Sequence, residues 1–165
     1  MATTDSKVRG VVFCGLAAVT LALLAGSLSP SWRAVAQGRN ATAEQPARIT
    51  VAVPQTGASG ATLVVSVKAF RKPAAGHIGG IVRLKRPGTA QAVEVGRFSI
   101  APAASFAATT LADEKRYRFD IASAVRELQL SGAEAEVEIA LFDRSGGQTP
   151  AGAELTVGTA RIMAR

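Results

Sequence analysis

Few residues in this sequence have the types and spacing that chemistry needs. His77 is the only histidine, and it lies in a glycine-rich stretch, Gly76-His77-Ile78-Gly79-Gly80. Alone it offers one ligand to a metal shared with another chain, or a contact at an interface. A solvated loop histidine is the ordinary alternative. The stretch has the glycines of a phosphate loop but lacks the Lys-Ser/Thr ending, and no helical pattern follows it. A hairpin or a crossing between sheets is the expectation there. Ser, Asp and the single His form no recognisable triad, and no G-x-S-x-G elbow occurs. Asp113 and Glu114 are adjacent, so on a strand they would point to opposite faces and make a poor acid/base pair.

Cationic residues are more plentiful. Arg83, Lys85, Arg86, Lys115, Arg116 and Arg118 could form an anion-binding stripe, since Arg83 and Lys85 share one strand face and Arg116 and Arg118 another. The competing expectation is cross-strand pairing with Glu134, Glu136 and Glu138, at roughly 0.2–1 kcal/mol per pair. The candidate interface residues are Arg71, Lys72, His77, Arg83, Lys85, Arg116 and Arg118. No catalytic, cofactor-binding or metal-ligating residue is assigned, and no cofactor is expected.

Composition narrows the classes further. One His and one Cys among 165 residues cannot build a zinc site or a multi-histidine copper site from this chain alone. They also cannot build a disulfide framework. Six Phe, one Tyr and one Trp leave little for stacking bases, so nucleic acid is not an expected partner. The formal net charge of +7 favours anionic surfaces or an acidic partner.

The N-terminus reads as a targeting segment. Lys7 and Arg9 precede an apolar run from Val11 to Leu28, and Ala34-Val35-Ala36 follows a Ser-Pro exit. A basic region, an apolar region and an A-x-A site make a secretory signal peptide, with the cut expected after Ala36. The exported chain is then residues 37–165, with net charge +5 after loss of Lys7, Arg9 and Arg33 against Asp5. The alternative is an uncleaved inner-membrane anchor through residues 11–28, near the lower length limit for a span. Cys14 follows Phe13 inside the apolar run, which does not suit a lipoprotein site. Lys7 and Arg9 flank Val8, so there is no twin-arginine pair and the chain is expected to fold after export, in the periplasm or outside the cell. A membrane is a partner only through an uncleaved leader.

The elements that would position these residues are strands. Residues 37–47 have no apolar period and are expected to be a flexible tether carrying a formal sequon, Asn40-Ala41-Thr42. From Arg48 onward the period is two. Ile49, Val51 and Val53 alternate with polar or small neighbours, as do Leu63, Val65 and Val67. Ile81, Val82 and Leu84 begin a further strand. Val93, Val95, Phe98 and Ile100 form another, with Gly96 as a candidate bulge. Strands around 115–121, from Val137 to Leu141 and from Leu155 to about Met163 complete the set. Pro54–Gly60, Arg71–Gly80, the stretch from Ala101-Pro102 and Asp143–Gly152 read as loops. A short helix is expected after Asp120, with Ile121, Val125 and Leu128 on one face, Asp120 near its N-cap and Gly132 as its stop. The expected fold is an all-β antiparallel sandwich of about seven to nine strands with one short helix. Residues 1–36 are the signal peptide, 37–47 the tether and 48–165 the sandwich domain.

The order of motifs in the second half resembles the C-terminal β-sandwich domain of tyrosinase-like proteins, the group of polyphenol oxidases and haemocyanins. The stretches that carry the resemblance are Val95-Gly96-Arg97-Phe98-Ser99, then Arg116-Tyr117-Arg118-Phe119-Asp120-Ile121-Ala122, then Leu128, Gly132 and Val137–Phe142, and last Leu155-Thr156-Val157-Gly158-Thr159-Ala160-Arg161-Ile162. It covers roughly Val93 to Ile162. The family's copper-binding helices and their histidines are missing here, so no catalytic residue carries over. The resemblance implies a non-catalytic cap or accessory subunit for a separately encoded tyrosinase-like copper oxidase. Contacts are expected through the loops Arg71–Gly80 and Asp143–Gly152 or through a sheet face. The alternative is an envelope-associated binding module that meets an anionic surface or acidic partner with its basic strands.

Overall fold

The computed structural model describes residues 35–37, 39–55, 60–100 and 104–164. The expected basic and apolar regions of the leader, Cys14, and much of the turn at 54–60 and of the loop at Ala101-Pro102 lie outside the described residues.

Ten strands and one helix are present among the described residues: β1 (Val35–Gln37), β2 (Asn40–Thr42), β3 (Ala47–Ala52), β4 (Thr62–Arg71), β5 (Ile78–Lys85), β6 (Ala92–Ser99), β7 (Phe106–Ala107), β8 (Lys115–Asp120), α1 (Ala122–Glu127), β9 (Glu134–Asp143) and β10 (Glu154–Met163). They form two antiparallel sheets. The first has the order β1-β3-β9-β5-β6, and the second runs β2-β10-β4, with β7 and β8 both pairing with the remaining edge of β4. The expected all-β sandwich is therefore the fold.

Period-two alternation explains the layers. Ile49 and Val51, Val82 and Leu84, and Val137 and Ile139 supply the inner face of the first sheet; Leu63, Val65, Val67, Leu155 and Val157 supply that of the second. These side chains are buried, each worth about 1.5–3 kcal/mol relative to exposure. Val125 and Leu128 from α1 and its exit join the same core.

An aromatic seam joins the two sheets along one side. Phe98 on β6 lies 4.2 Å from Tyr117 and 6.3 Å from Phe119 on β8, centroid to centroid. The Tyr117 hydroxyl donates to the Ser99 carbonyl at 3.2 Å. Burial pushes the Tyr117 phenol above its ordinary value. Gly96 makes the seam possible, because a Cβ there would sit 2.6 Å from Cδ1 of Phe119. The pairing of β5 with β6 shifts register beside it, opposite Val82 and Arg83, so the expected irregularity at Gly96 is present.

Several boundaries differ from the expectation. The segment read as a flexible tether is partly built into the sheets. Asn40–Thr42 pairs with β10, and Ala41 and Ala47 are fully buried. Buried alanines leave no apolar period in the sequence. Val35–Gln37 pairs with β3, so the expected cleavage point after Ala36 falls within β1. Strand β5 begins at Ile78, inside the stretch read as loop, because Gly79 and Gly80 lie under aromatic rings. A Cβ at Gly79 would be 2.6 Å from the Phe142 ring, and one at Gly80 would be 2.3 Å from the Phe98 ring. Helix α1 has Ile121 at its N-cap. Asp120 stands one residue earlier, and its carboxylate accepts from the Ala122 N–H at 2.9 Å. The helix stops before Gly132, because Gln129 takes the left-handed conformation at φ 52°.

Candidate docking surfaces

The loops expected to make contacts meet at one end of the sandwich. The crossing from β4 to β5, residues 72–77, lies beside the turn from β9 to β10. The Arg144 N–H donates to the His77 carbonyl at 2.8 Å. The Asp143 carboxylate accepts from the His77 N–H at 3.3 Å, the Ser145 N–H at 3.0 Å and the Ser145 hydroxyl at 2.9 Å. These bonds, led by the one from the Ser145 backbone, hold the Asp143 carboxyl below the usual carboxylate range. Pro150 fills the space a side chain at Gly76 would need, 2.8 Å from its Cβ position. His77, Arg144 and Ser145 line a shallow depression of about 360 Å³. The single histidine is thus exposed at the rim of a tied loop pair. Ser145 bonds to Asp143 rather than to His77, so these three side chains do not form a nucleophilic relay.

The other candidate residues fall in three places. Arg71 is paired with Glu154 at 2.7 Å, and the Lys72 N–H donates to the Ser105 hydroxyl at 2.9 Å. On the outer face of the first sheet, Arg83 and Lys85 face the glutamates of β9 in register. The buried Glu138 carboxylate lies 3.4 Å from Arg83, 3.4 Å from Lys85 and 3.5 Å from Arg48. Glu136 lies 3.7 Å from Lys85 and 3.8 Å from Arg48. This face is a neutralised network, the cross-strand pairing that the sequence offered as the competing reading. At the edge of the same sheet, Arg97 pairs with Glu94 at 2.7 Å.

Arg116 and Arg118 behave differently because β8 belongs to the second sheet, away from the glutamate row. Both are exposed on its outer face. Arg118 stands opposite Val64 of β4, and Arg161 of β10 stands opposite Val64 from the other side. Arg116 donates to the Leu111 carbonyl at 2.9 Å. Among the described residues, no acidic side chain lies within ion-pair distance of Arg116, Arg118 or Arg161. Arg161 escaped the sequence reading. Its signal is parity, since it alternates with the inward-facing Ala160 and Ile162 in a strand whose neighbours only the topology reveals.

No family model matches the chain, and no curated protein matches it. A solved structure to which it is similar is the latent aurone synthase (polyphenol oxidase) from natural source, at 15% identity and a TM-score of 0.44, with 77% of this chain and 26% of that chain covered. This chain spans about a quarter of that protein's length.

Proposed function

We propose that this chain is an exported, non-catalytic accessory domain that docks on a separately encoded tyrosinase-like copper oxidase and covers the mouth of its active site. The observation that carries this reading is the ordered set of stretches that resembles the C-terminal domain of that family. Those stretches fall on β6, β8 with the start of α1, β9 and β10, and the first two interlock through Phe98, Tyr117 and Phe119. In such oxidases a domain of this kind shields the copper site, and a free-standing copy would do so by association. Its tied end loops, with His77 and Arg144 at the rim, offer a surface for covering a cleft.

The test is to recover the tagged full-length chain from the envelope of its own cells and identify its companions by mass spectrometry. Recovery of a histidine-rich copper oxidase supports the reading; its absence overturns it. A second reading, an exported binding module for an anionic surface, is favoured by one observation, that Arg116, Arg118 and Arg161 on the second sheet have no acidic partner among the described residues. Under that reading, binding falls steeply with ionic strength.

A further inference from the structure

We infer that the outer face of the second sheet is the surface by which this chain holds a protein partner, and that the partner presents carboxylates to Arg116, Arg118 and Arg161. The inference rests on the reading that the chain docks on another protein, and it assigns the face that does so.

The two sheets present opposite surfaces to solvent. The first is a lattice of cross-strand ion pairs centred on Glu138, already satisfied within the chain. On the second, Arg71 pairs with Glu154 at one end, whereas Arg116, Arg118 and Arg161 have no acidic partner within ion-pair distance among the described residues. Arg118 and Arg161 flank Val64 in register on adjacent strands, which sets their backbones about 10 Å apart at the usual strand spacing. Val64 is only 6% exposed and Ser66 2%, although both point outward. Ser66 bonds with Thr159, its hydroxyl 2.9 Å from that of Thr159, and Val64 has an arginine in register on each side.

The large apolar side chains exposed among the described residues border this same strip. Leu111 is 69% exposed and Met163 45% exposed. Arg116 bonds to the Leu111 carbonyl, and Met163 lies two residues beyond Arg161, on the same strand face, opposite Thr62. The strip therefore runs from Leu111 past the arginines to Met163. Open clefts adjoin it at Arg161, about 230 Å³, and at Arg118, about 240 Å³. Arginine and methionine are enriched at protein interfaces, whereas lysine and glutamate are depleted. Guanidinium also suits fixed, bidentate pairing with carboxylates.

A bilayer fits this face less well. Asp120, opposite Thr62, shares the strand face of Arg116 and Arg118, as does Glu114, which lies over Gly158. Anionic lipid headgroups would repel both acids. A partner protein can place its own cations against them while its carboxylates meet the arginines.

The full-length chain is tested in the envelope pull-down as wild type, as Arg118→Glu/Arg161→Glu, as Met163→Asp and as a first-sheet variant at the exposed pair of that sheet's edge, Glu94→Gln/Arg97→Gln. Melting curves confirm that each variant folds. Recovery of the copper oxidase is expected to fall at least tenfold for the charge reversal and at least threefold for Met163→Asp. Arg118→Lys/Arg161→Lys, which keeps the charge and loses the fork, is expected to fall between wild type and reversal. The first-sheet variant should retain recovery within twofold. If wild type and charge-reversed chains recover the oxidase equally, the face is wrong while the docking reading stands. If wild type recovers no oxidase, the docking reading fails and takes this inference with it. Sedimentation of the wild type with phosphatidylglycerol vesicles, lost in the charge-reversed variant and without oxidase recovery, would assign the face to a bilayer instead.

Discussion

Gly80→Ala probes the side of the sandwich where the two sheets are joined. Gly80 on β5 faces Phe98 on β6 in register, and its missing side chain is the space the ring occupies. A Cβ there would lie 2.3 Å from two ring carbons of Phe98. Gly80 is outside the left-handed region, so alanine meets no backbone penalty and the effect is steric. The ring has nowhere to retreat, because it is buried and packs 4.2 Å from Tyr117. Forcing extra volume into such a place costs about 1–3 kcal/mol, and loosening the aromatic contact adds roughly 0.5–1.5 kcal/mol. Against this, alanine stabilises by about 0.4–1 kcal/mol through the unfolded chain. The net expectation is a loss of about 1–3 kcal/mol, or roughly 3–15 °C in Tm for a domain of this size. Circular dichroism melting measures it, and near-ultraviolet signals from Tyr117 report the seam directly. Phe98→Leu should relieve the clash, so the double variant should be less destabilised than the sum of the singles by about 1 kcal/mol or more. A Gly80→Ala protein within about 0.5 kcal/mol of wild type, or strict additivity in the pair, would refute the reasoning.

Two further outcomes follow from the structure, and a third from the leader read in the sequence. Glu138→Ala should lower stability by about 1–3 kcal/mol, because Arg48, Arg83 and Lys85 lose a shared acceptor, and raised salt should narrow the difference from wild type in denaturant titrations. The Asp143 carboxyl titrates below its ordinary value, so the tie between the end loops is complete above the unfolded-state value and is lost as pH falls through the folded one; carboxyl NMR shifts of Asp143 and the amide shifts of His77 and Ser145 should move together in that acid window. The proposed export with cleavage after Ala36 predicts an intact mass corresponding to residues 37–165, and a mass retaining residues 1–36 would replace that proposal with an anchor.

The parts of this fold that rely on apolar alternation are readable in the sequence. Leu63, Val65 and Val67, or Val137, Ile139 and Leu141, announce a half-buried strand wherever they occur. Strands built on small residues are not announced in this way. Ala41 and Ala47 are fully buried but too small and too sparse to mark an apolar period, and a stretch of Asn, Ala and Thr looks like a tether until its partner β10 is known. Gly79 and Gly80 read as loop because glycine usually breaks strands, whereas here each makes room for a ring. The candidate surface was half legible for a related reason. Parity along a strand shows that Arg83 and Lys85 share a face, as do Arg116 and Arg118, but not which strands lie alongside. Topology puts the first pair beside the glutamates of β9 and the second beside Val64 and Arg161. One cationic set in the sequence is therefore two surfaces in the molecule, one neutralised and one open.

The central claim, that this chain covers the mouth of a copper oxidase, is tested most directly by the rate of that enzyme. Diphenol oxidation by the oxidase purified from the same cells would be followed as the full-length chain is added. The account predicts a saturable fall in kcat/KM that is larger for bulky than for small phenols, since a cap restricts entry before it affects chemistry. Rates unchanged through a large molar excess of the chain, for both substrate sizes, would contradict it.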